Sequence, residues 1–347
     1  MIINGVGHAP SRIAWVDFAK SIAILSVIFG HTVTISIIRA VIFSFHMPLF
    51  LILSAFTTTL SSDDAQLLRK TEKSFKRLII PALIIYFIRI FIYVVHNFTS
   101  INWKLFIVEK INTFVYGSGV DASVAGGVIP AFGMMWFLLV LFIGRTMFDY
   151  IHLKLSKTGF VFSVFICSVL GVFLGYVQWL PFSFDVALSV MPFFLCGFCL
   201  RKIYDKTDKL FVWYFFFVSF LIWAVSFYIS FFVFENYMEL ADRRYPLFPL
   251  CFITAISGTF VVLSVSHFLS KGKIIAALMT YFGENSLWLF FVHSIDYVWS
   301  FAYNITSNTV LSGLIRCFID CVICFCIIKM KSYLILKLRS DLEAHKV

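Results

Sequence analysis

Apolar residues in this chain run in long unbroken blocks between short polar stretches. The pattern has neither the alternation of an outer-membrane strand nor the single apolar stripe of a surface helix. A helix needs about 20 mainly apolar residues to cross a bilayer. Ten blocks fit, at residues 13–36, 41–60, 78–98, 132–151, 160–179, 185–200, 210–234, 247–268, 284–303 and 310–330. The pattern predicts an all-α fold: a polytopic membrane helix bundle of about ten transmembrane helices in one domain spanning residues 1–347. The first two blocks are separated only by residues 37–40 and predict a tight helical hairpin. The 99–131 stretch, with its paired glycines, is the largest segment between blocks and is open to being a loop, a re-entrant piece or a lid.

Composition narrows the class. The 347 residues are 61% hydrophobic and 13% charged, too few charges to cover a soluble surface of this size. Disorder is excluded by the same hydrophobicity. The net charge of +10 would suggest nucleic acid in a soluble protein, but here it points to basic loops held on the cytoplasmic face and to no nucleic-acid partner. With the N-terminus placed in the cytoplasm, 19 of the 28 Lys and Arg fall in inner segments and five in outer ones, which predicts both termini inside. Lys20, Arg89, Arg145 and Arg316 remain within the blocks. The first block is too long for a signal sequence and reads as an uncleaved span. Residues 331–347 form a basic, amphipathic cytoplasmic tail expected on the inner leaflet. The eight cysteines all lie in apolar runs and read as buried, reduced thiols, with zinc a weaker alternative.

Ionisable residues inside a span are costly, so each is a functional candidate. The first block carries Asp17, Lys20 and His31. Eleven residues of helix bring Lys20 and His31 to within about 20° of one face and about 16 Å apart along the axis. Asp17 lies within about 40° of His31 on that face. The second block adds His46 near the depth of His31, with Pro48 expected to kink the helix. The ninth adds Asn285, His293 and Asp296; the last two share a face, so Asp296 is placed to orient His293. Asp185 opens the short sixth block. Each histidine has a plain alternative as a core imidazole bonded to a backbone carbonyl. No pair has the i,i+4 spacing with an acidic partner that a metal site favours, so no metal is assigned. The basic 69–77 loop, with Lys73, Lys76 and Arg77, serves topology and can also hold phosphates.

These residues resemble the acyltransferase-3 family of integral membrane O-acyltransferases. Arg12-Ile13-Ala14-Trp15-Val16-Asp17-Phe18-Ala19-Lys20, followed ten residues later by His31, is similar to the family's first helix. Phe45-His46-Met47-Pro48-Leu49-Phe50 with Ser54-Ala55-Phe56 is similar to the second, with Ala55 where the family usually has Gly. Lys73-Ser74-Phe75-Lys76-Arg77 through Pro81 resembles the basic loop before the third helix, with Ser74 at a commonly basic position. Met135-Trp136-Phe137-Leu138-Leu139 and the run from Phe282 to His293 complete five matches in family order, so the motif-bearing part is 12–303.

The resemblance implies a bacterial inner-membrane, multi-pass enzyme that carries acetyl groups from acetyl-CoA to a sugar hydroxyl of a surface polysaccharide such as O-antigen. Acetyl-CoA is then a donor substrate, not a bound cofactor, and the acceptor is a polysaccharide or lipid-linked glycan. The site reads as follows. Lys20, Lys73, Lys76 and Arg77 hold the donor. His31, an imidazole of ordinary pKa about 6.5, acts as general base. His46 or Asn285 answers the oxyanion and His293 supports; Asp17 and Asp296 orient their neighbours. Transfer of succinyl or another acyl group is an alternative in the same class. A transporter or flippase of a lipid-linked sugar is the alternative from another class; it calls for broken helices and repeat symmetry, neither of which is evident from sequence. A scaffold without a site is the third.

Overall fold

Apolar blocks with few glycines or prolines in their interiors fold almost throughout into helix, as a chain in hydrocarbon must to satisfy its own backbone. The computed structural model describes residues 12–207, 211 and 213–344, with side chains as far as residue 337. In chain order the helices are α1 (Ala14–Gly30), α2 (Ser36–Phe43), α3 (His46–Phe56), α4 (Asp64–Ser74), α5 (Ile80–Asn97) and α6 (Trp103–Tyr116). A small antiparallel hairpin follows, β1 (Ala122–Val124) with β2 (Gly127–Ile129). Then come α7 (Trp136–Lys154), α8 (Lys157–Val177), α9 (Phe184–Ser189), α10 (Met191–Tyr204), α11 (Trp213–Tyr228), α12 (Leu250–Leu269), α13 (Ile274–Glu284), α14 (Ser286–Ser294) and α15 (Thr309–Ala344).

Among the described residues, seven helices are long and apolar enough to cross a membrane, and nine if each of two bent pairs is one span. A count of ten needs α1 as well, whose 17 residues reach about 26 Å. The outer surface of the bundle is apolar: Phe87, Phe91, Phe162, Phe173, Phe217 and Phe318 are all more than half exposed. In a soluble protein such a surface would aggregate; against lipid tails it costs nothing.

α1 is the axis of the molecule. It packs against α3, α12, α13, α14 and α15, and Ala19, Ala23, Ile24 and Ile28 are sealed from solvent. Small residues let neighbours approach. A Cβ on Gly283 would collide with the Asp17 carbonyl, and one on Gly197 of α10 with the Ile52 carbonyl of α3. At the Lys20 end of α1, Trp15 meets Phe56, Tyr204 and Phe211 edge-on at 5.1, 5.6 and 4.9 Å.

Several expectations are corrected. Residues 37–40 lie inside α2, and the turn of the first hairpin is at 31–35. Pro48 sits in the first turn of α3, where its missing N–H is not needed; the break falls just ahead, at Ser44 and Phe45. Two helices are broken: Pro181–Ser189 meets Met191–Tyr204 at 51°, and Ile274–Glu284 meets Ser286–Ser294 at 67°. The ninth span therefore starts at Ile274 rather than residue 284, and residues Asp296–Ala302 wind as a 3-10 turn. The 99–131 stretch folds as a 3-10 turn, α6 and the β-hairpin. The tail continues the last span as one helix to Ala344. Cys199 and Cys326 are exposed on the outside of the bundle instead of buried. Residues 1–11, Lys209, the first residue of the expected 210–234 span and the tail's last three residues lie outside the described residues.

Candidate active site

Two sites sit at opposite ends of α1. At the Lys20 end a cavity of about 390 Å³ opens among α1, α3, α4, the turn that follows α4, α7 and the break between α13 and α14. Its walls carry six cations, Arg12, Lys20, Lys70, Lys73, Arg77 and Arg145, against one carboxylate, Glu284. Phe50, Leu53, Phe137, Leu138, Leu287 and Phe290 supply apolar wall. Asp17 holds two of the cations, accepting from Lys20 Nζ at 3.0 Å and from Arg12 Nε at 2.8 Å. Lys70 donates to the Thr59 carbonyl at 2.8 Å. Lys73, Arg77 and Arg145 form no salt bridge among the described residues. Unanswered cations beside an apolar wall fit a ligand with phosphates at one end and a long neutral arm.

The local structure explains which basic residues arrive there. Between α4 and α5 the chain makes one π-helical turn, Phe75–Ile79, of a kind that often marks functional positions. Lys73 and Arg77 line the cavity, while Lys76 points away, exposed and paired with Glu72 at 2.6 Å. Lys76 is thus set apart from the donor-binding group predicted from sequence. The loop before α4 is pinned to α7: Asp149 accepts from the Ser61 amide and hydroxyl, both at 2.7 Å, and Lys154 meets Asp64 at 2.7 Å. Asp63 caps α4 through the Gln66 amide at 2.7 Å; that bond and the Ser62 hydroxyl hold its carboxyl below the usual range.

At the other end, His31 terminates α1 and is exposed. Its ring lies 5.6 Å from that of His293, centre to centre. His46, Arg316 and Arg39 are also within electrostatic reach of His31. His293 is sealed in the core and held through one nitrogen: Nδ1 is 2.7 Å from Asp296 Oδ2 and 3.2 Å from Asp320 Oδ2. Its Nε2 is buried without a partner among the described residues. Arg316 grips Asp296 with Nε at 2.6 Å and Nη2 at 2.7 Å, and gives Nη1 to Thr32 Oγ1 at 2.9 Å. Trp299 Nε1 donates to Asp320 at 3.3 Å. Two buried carboxylates thus face one guanidinium and one imidazole.

Asp296 and His293, three residues apart, are in hydrogen-bond contact at 2.7 Å. His46 donates Nδ1–H to the Ile42 carbonyl at 2.8 Å, since a carbonyl can only accept. Neutral His46 therefore has no proton on Nε2, and the expected oxyanion role does not suit it. Asn285 lies between Glu284 and Ser286, both on the basic cavity, and donates to the Tyr281 carbonyl at 2.8 Å. It stands at the Lys20 end, so it cannot serve an oxyanion at His31. Asp17 sits at that end too and orients Lys20, not His31. Asp185 is buried in an ion pair with Arg243 at 3.0 Å, with that guanidinium 3.4 Å over Trp179; it locks the broken sixth span. Arg39, Arg145, Arg316 and Asp320 were given no role from sequence. Each is an isolated charge in or beside an apolar block, the signal that singled out Lys20.

His293, Asp296 and Asp320 offer three donor atoms within 4.8 Å of one another, a set that a metal ion could use. The Arg316 guanidinium already engages both Asp296 oxygens, which suits an internally neutralised ion cluster better than a cation site.

The fold and its two ends define a polytopic membrane protein with a cation-lined cavity at one end of a central helix and a histidine cluster at the other. The family model described as "Acyltransferase domain" matches residues 13–329, nearly the whole chain, and the protein belongs to that family. It is a multi-pass membrane acyltransferase acting on a membrane-associated acceptor. Searches of curated proteins and of solved structures return no significant match.

Proposed function

We propose that the protein transfers an acetyl group from acetyl-CoA, held in the basic cavity, to a hydroxyl of a surface glycan such as O-antigen at His31, across a bacterial inner membrane. The observation that carries this reading is the placement of unpaired cations and exposed His31 at opposite ends of one helix, about 16 Å apart from Lys20 to His31. Arg77, Arg145, Lys73 and Lys20 hold the phosphates of the donor, and its extended arm lies along the apolar wall toward His31.

His31 takes the proton of the sugar hydroxyl as the oxygen attacks the thioester carbonyl. The tetrahedral intermediate carries a negative oxygen. Arg39, which forms no salt bridge among the described residues and lies over Phe43 at 5.2 Å, is the cation placed for it. Collapse breaks the C–S bond, and the leaving thiolate takes up the proton held by His31. The products are the sugar ester and free CoA thiol. His293, with its Nδ1 tied to Asp296 and Asp320 and its Nε2 unpartnered among the described residues, is the neighbouring imidazole that shares the proton while it is held.

The test is turnover by purified protein in nanodiscs given acetyl-CoA or succinyl-CoA with surface glycan from the source cells. Acetyl ester formation by wild type and none by a correctly inserted His31→Ala variant is expected. Full transfer by that variant would sink the mechanism, and preference for succinyl-CoA would replace the donor. The broken helices give the flippase reading one supporting feature. Glycan uptake into vesicles without any acyl donor would favour it.

A further inference from the structure

A second cavity, of about 530 Å³, lies at the His31 end of the bundle and takes no part in the chemistry above. Its walls are the end of α5, one side of α6, residues 131–132 and the turn after α14. The α5 positions Tyr86, Arg89, Tyr93 and His96 recur every three or four residues, so they form one helical face. The cavity is within the size range of small-ligand sites.

Three kinds of group meet there. Arg89 and Lys110 are cationic. Lys110 is answered by Glu109 at 2.6 Å, but Arg89 meets no carboxylate among the described residues; its guanidinium lies 5.8 Å from the Tyr297 ring. Tyr93 and Tyr297 border the space as half-exposed rings, Tyr93 with one face stacked on Phe106 at 5.6 Å. His96 donates Nδ1–H to the Ile92 carbonyl at 2.8 Å, and Asn97 gives one of its two amide hydrogens to the Tyr93 carbonyl at 2.9 Å. That leaves His96 Nε2 as an acceptor, and Asn97 with the Oδ1 acceptor and one N–H donor. Cations for a phosphate, rings for the apolar face of a sugar, and acceptors for its hydroxyls occur together.

From this we infer that the cavity binds a sugar joined to phosphate, the head of a lipid-linked glycan, and presents it to His31. The inference rests on the proposal that the acceptor is a glycan. Tyr297 directly follows Asp296, which holds His293 beside His31, so one wall of the cavity is continuous with the histidine cluster. Gly133 keeps the Arg89 position open: a Cβ there would stand 2.5 Å from the Arg89 guanidinium, and its φ of +75° already favours glycine.

The experiment is equilibrium binding to the full chain in phosphatidylcholine nanodiscs. The probes are farnesyl-diphosphate-linked glucose, galactose and N-acetylglucosamine, with farnesyl phosphate and methyl glycosides as comparisons. At least one linked sugar is expected to bind tenfold or more tighter than farnesyl phosphate or any methyl glycoside. Arg89→Gln should weaken it about tenfold, as one lost charged hydrogen bond does. Gly133→Ala should mimic that loss, and the surface change Tyr297→Leu should weaken binding several-fold without threatening the fold. No linked sugar binding better than farnesyl phosphate would overturn the inference. So would equal competition by phosphatidylglycerol, which would make this a lipid headgroup site, or unchanged affinity in both Arg89→Gln and Tyr297→Leu. Acetyl-CoA binding on the same discs separates the two readings: donor binding without sugar preference sinks this site alone, and sugar binding without donor binding sinks the acyl-transfer reading and leaves this site standing.

Discussion

The two ends of α1 handle charge in opposite ways. At the Lys20 end, cations outnumber carboxylates and four of them form no salt bridge among the described residues. At the His31 end, buried Asp296, Asp320 and His293 and half-buried Arg316 are closed on one another. An open excess of one sign attracts a ligand of the other. A closed ion cluster attracts little, but it fixes its members, because a buried charge that lost its partner would be expensive. The first end is arranged to bind and the second to hold a ring in place.

The sharpest break in that comparison is His31→Ala. Loss of the general base should lower kcat by about 10³-fold and leave KM for the acyl donor within about twofold. Steady-state kinetics with both substrates varied would show the split. Asp296→Ala comes next. It strands Arg316 in the core and should cost about 3–5 kcal/mol of stability, read as a lowered midpoint in detergent unfolding, whereas Asp296→Asn should recover part of it. At the opposite end the variants should read differently. Arg145→Ala or Arg77→Ala should raise KM for the donor about tenfold with kcat nearly unchanged, the loss of one charged phosphate contact. Gly283→Ala presses on the Asp17 carbonyl and should cost about 1–3 kcal/mol, together with a weaker donor site. Lys76→Ala should do least: its pair with Glu72 is exposed, such pairs contribute about 0–1 kcal/mol, and donor KM should stay within about twofold.

The sequence is most legible where one helix carries the pattern. Lys20 and His31 sit on a single unbroken segment, so 3.6-residue geometry places them without tertiary knowledge. His293 with Asp296 is legible for the same reason. Asn285 opens the 284–303 block, so block order already puts it at the Lys20 end, whereas the 67° break beside it leaves no hydropathy signal. The π-turn that separates Lys76 from Arg77 leaves no hydropathy signal either. Asp320 and Arg316 meet His293 only through packing of α15 on α14, a contact that no spacing rule contains. The second cavity escapes a sequence reading for the same reason: its walls come from α5, α6 and the turn after α14, each ordinary on its own.

The division of labour between the two ends is tested most directly in sealed membrane vesicles of both orientations. Acetyl-CoA is confined to one side and glycan to the other, and ester formation is followed by radiolabel. Transfer should proceed only when acetyl-CoA faces the Lys20 end and glycan the His31 end. Product formed only when donor and acceptor share one side would contradict it.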